Sequence, residues 1–335
     1  MKKSLQLKLV LLSAICYLLS TALCGCQSKT LHRDTQVIMG TFVEVISPDK
    51  EASNIVFTEI RRVENLLSKY KEDSEIAKLN KLGKLKVGPD TFYVLQKAKD
   101  FWQLSDGMLD ITVGPLLDIW GFSDKKYYLP KDKEIKQALS RVGFDKIIFN
   151  VDDNMVKFKI PGMKIDLGGI AKGYAVDCAV RKLKEHQIKS CLINAGGQIY
   201  CLGDKFGRPW RIAMKNPRGF FGTLPQIQEK VSLMKPFLEL KDMAVSTSGD
   251  YEQYFMNKGK RYAHIFNPKT GYPSNSGIVS VTVIAPDGLT ADALSTSVFI
   301  LGKDKGLKLV QRFKDARVEI IEERDTSPIG LKNGP

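Results

Sequence analysis

Lys146-Ile147-Ile148-Phe149-Asn150-Val151-Asp152-Asp153-Asn154-Met155-Val156-Lys157-Phe158-Lys159-Ile160 reads as two short strands folded about a turn. Lys146 to Phe149 is one arm. Val156, Phe158 and Ile160 alternate with lysines along the other, the period-2 pattern of a half-buried strand. Asp152-Asp153-Asn154 between them supplies turn residues. Strands this close together pair antiparallel, because a parallel pair needs a long crossover.

The flanking segments extend the pattern. Thr35 to Ile46 is rich in Val, Ile, Phe and Thr and reads as a strand interrupted at Gly40. Val56, Ile60, Val63 and Leu67 recur at helical spacing, and a second helix is expected from Thr91 to Leu104, stopped by Asp106-Gly107. A helix from about Gly173 to His186 is followed by strands near Cys191 to Ile193, Ile199 to Leu202 and Arg211 to Met214. A strand from Val279 to Ile284, a helix from Thr290 to Leu301, a shorter helix after Asp304 and a strand from Val318 to Ile321 complete the series. Hairpins mixed with helices predict an α+β fold with a mainly antiparallel sheet.

With 335 residues, 43% hydrophobic and 26% charged, the chain has the composition of a globular protein and not of a disordered or multi-span one. Residues 1–25 are read as a signal peptide: Lys2, Lys3 and Lys8 precede an apolar run from Leu9 to Leu23. Fifteen residues span roughly 22 Å as a helix, short of the roughly 30 Å hydrocarbon core. The segment ends Leu23-Cys24-Gly25-Cys26, which resembles a bacterial lipobox with Cys26 as the lipidated residue; an ordinary secretory signal is the alternative. Residues 26–33 would form a lipid-anchored tether, 34–325 the working domain and 326–335 a tail.

Losing the signal removes three lysines and lowers the formal charge from +14 to +11. The remaining excess is scattered among acids and lacks interleaved aromatics, so no nucleic acid is expected as partner. Cys178, Cys191 and Cys201 then remain, an odd number without metal-binding C-x-x-C spacing, which argues against structural zinc or a disulfide framework.

Several clusters could carry chemistry. Asp166-Leu167-Gly168-Gly169-Ile170-Ala171-Lys172-Gly173-Tyr174 sets glycines, a lysine and an acid at a strand-to-helix junction. It matches neither the Walker nor the Rossmann pattern, yet glycines and a helix start suit close approach to phosphate; a tight packing turn would use the same residues. Asn194-Ala195-Gly196-Gly197 and Ser246-Thr247-Ser248-Gly249-Asp250 offer backbone N–H groups suited to an anion. His264, on an expected strand leading into Asn267-Pro268-Lys269-Thr270-Gly271, is the candidate base or nucleophile, with an ordinary packed or solvated histidine as the alternative, whereas His32 and His186 lie in polar surroundings. Asp292 and Thr296 share a helix face at i, i+4, with Thr290 as the expected N-cap, and could serve an oxygen-ligated magnesium site completed by phosphate.

Taken in order, these motifs resemble the ApbE-type FAD:protein FMN transferases, also called flavin transferases, from about Val37 to Gly302. The matching runs are Met39-Gly40-Thr41, Ser68-Lys69-Tyr70 with Asp73-Ser74-Glu75-Ile76, Ser105 to Leu116 with Trp120-Gly121-Phe122, Asp166 to Tyr174, Asn194 to Gly197, Ser246 to Tyr251, His264 to Pro273, and Ala291 to Thr296. The resemblance implies a T-fold-like α+β architecture. It implies that Met39, Tyr70, Met108, Leu109, Asp110, Asp166, Lys172 and Ile265 line an FAD site. Gly169, through its carbonyl, and Asp292 and Thr296 would hold Mg2+, and His264 would serve transfer as base or transient nucleophile. Met108-Leu109 and Ile111 depart from the more usual Ala-Phe and Pro around Asp110, and Ser295 stands where some relatives have an acid.

The implied reaction is attack by an acceptor-protein threonine on the FAD pyrophosphate, giving bound FMN and free AMP. FAD hydrolysis to FMN and AMP, and non-enzymatic flavin binding by an exported lipoprotein, are the alternative functions. The implied partner is an acceptor flavoprotein of a membrane redox complex, met at the bacterial cell envelope.

Overall fold

The structure, a computed structural model, describes residues 30–214 and 237–323; the expected signal, Cys26 and the tail lie outside them. β1 (His32–Ile38) and β2 (Thr41–Ser47) pair from His32↔Ser47 to Ile38↔Thr41. The break read at Gly40 is therefore a chain reversal. Met39 and Gly40 form its two-residue turn at φ 54° and 70°, the left-handed geometry that tight hairpins require. β1 also takes in His32 and Arg33, the last two residues of the expected tether.

α1 (Ala52–Leu67) buries Val56, Ile60, Val63 and Leu67, the predicted stripe. α2 (Glu75–Leu82) is capped by Ser74, whose side chain accepts from the Ala77 N–H. β3 (Lys84–Lys86) precedes α3 (Pro89–Leu104), which starts on proline and ends just before Asp106-Gly107. α4 (Gly114–Ile119) and α5 (Asp132–Leu139) follow. β4 (Ile147–Asn150) and β5 (Met155–Phe158) are the predicted hairpin, with Ile147 opposite Phe158, and β3 pairs with the other edge of β5. α6 (Ala171–Glu185) leads to the hairpin of β6 (Cys191–Ala195) and β7 (Gln198–Leu202). β8 (Trp210–Ala213) pairs with β9 (Phe237–Leu240). Then come β10 (Met243–Gly249), the hairpin of β11 (Tyr254–Asn257) and β12 (Lys260–Ala263), β13 (Ile278–Ala285), α7 (Gly288–Leu301), α8 (Lys303–Val310) and β14 (Arg317–Glu322).

The main sheet runs β1-β2-β6-β7-β10-β13-β14, each neighbour antiparallel to the next. α1, α6 and α7 lie side by side across it. Together they enclose one apolar core that includes Val43, Ile60, Val176, Val281 and Leu294. α7 is buried nearly all round, as its almost uninterrupted apolar and small-residue sequence requires. A smaller core surrounds Trp120 with Leu116, Phe122, Ile135 and Phe266.

Two local expectations are corrected. The N-cap of α7 is Asp287, whose carboxylate accepts from the Thr290 N–H at 2.8 Å, so Thr290 lies within the first turn. Ser246 to Gly249 is strand paired with β13, not an anion-binding loop; it works through side chains that the sheet directs onto α7. Cys178, Cys191 and Cys201 are buried free thiols. Among the described residues no helix is long and apolar enough to cross a membrane.

Candidate functional site

The Asp166–Lys172 junction is held from several sides. Asn80 of α2 brackets Ile165, donating to its carbonyl at 2.9 Å and accepting from its N–H at 2.6 Å. The Asp166 N–H donates to the Ile111 carbonyl at 2.8 Å, which draws the Asp110 segment alongside. The Asp166 carboxylate accepts from the Gly168 N–H at 2.8 Å and receives Lys69 Nζ at 2.8 Å. Burial works most strongly against the Lys69 ammonium, but the charge and hydrogen bond of Asp166, with Tyr70 and Asp118, together outweigh it and raise the Lys69 pKa. Lys69 also donates to Ser123 Oγ at 3.0 Å.

Beyond Lys69, Tyr70 stands exposed, and Lys71 Nζ reaches Glu64 Oε2 at 2.7 Å. The other Glu64 oxygen accepts from the Met39 N–H at 2.8 Å. Met39 is thus tied through Glu64 to Lys71, the chain neighbour of Tyr70 and two residues from the Lys69 that pairs with Asp166.

Asp110 is buried, and both its oxygens are occupied: Oδ1 by the Thr112 N–H and hydroxyl at 2.8 and 2.6 Å, Oδ2 by the Phe144 N–H at 3.0 Å. Burial raises its pKa against those donors. Leu109 is buried in the main core, whereas Met108 is only partly buried and packs against it. Asp110 also lines a cleft of about 530 Å3 walled by Trp102, Asp106, Gly107, Gly143 and Lys269. Met39, Tyr70, Asp166, Lys172 and Ile265 are not among that cleft's lining residues.

His264 is half-buried and follows the end of β12 instead of lying on the strand. The Gln253 carbonyl accepts both its backbone N–H at 3.0 Å and its Nδ1 at 3.1 Å. A carbonyl cannot donate, so Nδ1 carries the proton and Nε2 keeps its lone pair. Burial lowers the His264 pKa to about 4; the Gln253 bond opposes this, the nearby Lys172 charge adds to it and Asp166 resists it. Those influences place His264, Lys172 and Asp166 in one electrostatic neighbourhood. The Ile265 carbonyl accepts from the Ser274 N–H at 2.7 Å, and Trp120 Nε1 donates to the Gly271 carbonyl at 3.1 Å, fixing the loop behind the histidine to the smaller core.

Asp292 stands on the other side of the junction. Its Oδ2 accepts from the Gly173 N–H at 3.0 Å, while among the described residues Oδ1 meets only Ser246 Oγ, at 3.5 Å. Burial raises its pKa, opposed by Lys172, the Gly173 N–H and Ser246. Ser248 Oγ lies 2.9 Å from Ser295 Oγ and 3.3 Å from Thr296 Oγ1. Gly169 packs so closely on Thr296 that a Cβ there would sit 3.0 Å from Thr296 Oγ1.

A buried carboxylate with one thinly satisfied oxygen, ringed by hydroxyls and a glycine backbone, suits a hard, oxygen-seeking cation such as magnesium. Among the described residues no three His, Cys, Asp or Glu side chains cluster as a metal cage, so ligand oxygens would have to complete the shell.

Lys69, Asn80 and Thr112 carry no role in the sequence pattern, and Ser246 and Ser248, expected to offer an anion backbone N–H groups and hydroxyls, instead turn their hydroxyls onto α7. Lys69 stands inside a recognised motif. Asn80 carried no local signal, because its partner, Ile165, comes from a distant segment.

The ApbE family pattern matches residues 39–321. The FAD:protein FMN transferase of Haemophilus influenzae is 31% identical over 316 residues, covering 89% of this chain and 88% of that protein. The Vibrio cholerae protein of the same name is 32% identical over 326 residues, 94% of each chain. The crystal structure of an ApbE protein from Thermotoga maritima superposes with a TM-score of 0.78 at 35% identity, over 88% of this chain and 95% of that one. The flavin transferase ApbE of Vibrio cholerae gives a TM-score of 0.75 at 30% identity, over 88% and 94%. These likenesses agree with the antiparallel α+β fold, and a match running from the Met39 turn into the last strand shows that the chain belongs to the ApbE family.

Proposed function

We propose that this chain is an FAD:protein FMN transferase that joins the FMN part of FAD to a threonine hydroxyl of an acceptor protein and releases AMP. The observation that carries the reading is the convergence of Asp166, Lys172, His264 and Asp292 on the start of α6, in a chain whose relatives bear that name. Met39, Tyr70, Met108, Leu109, Asp110, Asp166, Lys172 and Ile265 are the proposed FAD-lining positions, Leu109 through its backbone.

His264 acts as base. Its Nε2, neutral at physiological pH, takes the threonine proton as the hydroxyl oxygen bonds to the FMN phosphorus. The pyrophosphate P–O bond breaks, and its electron pair leaves with AMP. Lys172 places a positive charge beside the reacting phosphates, and the Lys69 ion pair holds the Asp166 carboxylate at the junction. Asp292, Thr296 and the Gly169 carbonyl would hold magnesium, which when bound supplies charge neutralisation to the phosphate oxygens. Lipidation at Cys26 would keep the domain at the cell envelope, near acceptors of membrane redox complexes.

The test incubates the full chain with FAD and magnesium, with and without acceptor, and separates the nucleotides by chromatography. AMP appearing with acceptor, matched by FMN on the acceptor and not free FMN, supports transfer. Equal AMP and free FMN without acceptor would establish a pyrophosphatase, and intact FAD in all cases a flavin-binding protein.

A further inference from the structure

Asp177, one helical turn beyond Gly173 on α6, sits outside every site residue described above. Its Oδ1 accepts from the Gly288 N–H at 2.6 Å and its Oδ2 from the Leu289 N–H at 2.8 Å. These are the opening amides of α7, the helix that bears Asp292 and Thr296. In return Asp292 of α7 accepts from the Gly173 N–H near the start of α6. Each helix therefore lends a carboxylate to the other's first turn, satisfying amides that have no partner within their own helix.

The clasp closes on bare backbone. A Cβ at Gly173 would lie 2.2 Å from the Gly288 carbonyl oxygen, and one at Gly288 would lie 2.6 Å from the Gly173 carbonyl oxygen. Gln198 of β7 donates to the same Gly288 carbonyl at 3.2 Å and ties the contact to the sheet. α7 also has its own N-cap, Asp287, on Thr290. Asp177 is thus not needed simply to begin the helix; what it adds is the tie between α7 and α6.

We propose that Asp177 is a positioning residue that, through the Gly288 and Leu289 amides, sets Asp292 and Thr296 of α7 against Gly169 and Lys172 at the start of α6 and so determines how tightly the site holds a divalent cation. The inference rests on the metal reading of the proposed function. Retaining a carboxylate here has a cost: burial pushes Asp177 up to about 7, with Asp287 adding to the shift and the two amides and Arg181 opposing it.

The test compares the full chain with Asp177→Ala, Asp177→Asn and Asp287→Ala. Binding is read with manganese(II), an oxygen-seeking stand-in for magnesium whose free ion gives an EPR signal, and melting is followed by circular dichroism. Asp177→Ala is expected to weaken manganese binding about 10–100-fold, the range for outer partners of metal ligands. Asp177→Asn, which keeps one acceptor oxygen and the fold, loses less but measurably. Asp287→Ala removes the helix's own cap and lowers the melting temperature, with affinity held within about two-fold. Asp177 variants that melt lower yet bind manganese as wild type does overturn the positioning role alone. Binding is read with FAD present, whose phosphates complete the shell, and a wild-type chain that binds no manganese even then overturns the metal reading and this inference with it.

Discussion

Gly173 and Gly288 meet backbone to backbone, so closely that a Cβ on Gly173 would stand 2.2 Å from the Gly288 carbonyl oxygen. Neither partner can yield without moving a helix. Gly173→Ala should therefore destabilise the protein by about 1–3 kcal/mol, the usual cost of overpacking, and lower the melting temperature accordingly. It should also reduce transfer more than its stability loss explains, because the Gly173 N–H that holds Asp292 moves with the helix. A melting curve and an activity equal to wild type would show the contact to be loose.

The Lys69–Asp166 pair joins the loop after α1 to the junction before α6, with both side chains largely out of solvent. Lys69→Met leaves Asp166 with one amide donor and should cost about 1.5–3 kcal/mol, as for a hydrogen bond to a charged group. In a double-mutant cycle with Asp166→Asn, the two changes should be non-additive by about 0.5–3 kcal/mol, measured by denaturant unfolding. Additive effects would mean that the two groups do not interact.

His264 should titrate far from ordinary imidazole. With its pKa lowered to about 4 from 6.5, the ring stays neutral through the physiological range. The unfolded chain takes up this proton first as pH falls, so the contribution of His264 to stability is complete above about pH 6.5 and is withdrawn as pH falls toward 4. NMR of the His264 Cε1–H, assigned by comparison with His264→Gln, checks this directly. A midpoint near 6.5 would contradict the half-buried, carbonyl-bonded ring described above.

Asp292→Asn removes the charge expected to meet a cation while keeping an acceptor for the Gly173 N–H. It should leave folding close to wild type, by circular dichroism, and reduce transfer at least about 100-fold, with FAD binding retained. Undiminished transfer at unchanged magnesium dependence would remove Asp292 from the metal site.

Much of the fold was legible because periodicity is local. The alternation of Val156 and Phe158 and the helical spacing of Val56, Ile60, Val63 and Leu67 each require only a few neighbours to interpret. Gly40 marked a break but not its sense: only the pairing of Val37 with Phe42 reveals that the chain turns back. The N-cap of α7 lies three residues before the expected Thr290, because Thr290 and Asp287 are both good caps and the sequence does not reveal which takes the β-region backbone. Ser246 to Gly249 has the composition of a turn but lies in the sheet, where tertiary pairing overrides the weak strand propensity of small polar residues. Site residues matched to motifs were legible as types and order. Their bonds, such as Lys69 to Asp166 and Asp177 to Gly288, join segments far apart in sequence, and only the fold brings them together.

Transfer of FMN to a threonine is decided by mass spectrometry of an acceptor protein incubated with this chain, FAD and magnesium. The predicted result is one threonine-bearing peptide heavier by one FMN less one water, absent when FAD or magnesium is omitted and absent with His264→Ala. An acceptor of unchanged mass, in a reaction where the chain demonstrably binds FAD, would contradict it.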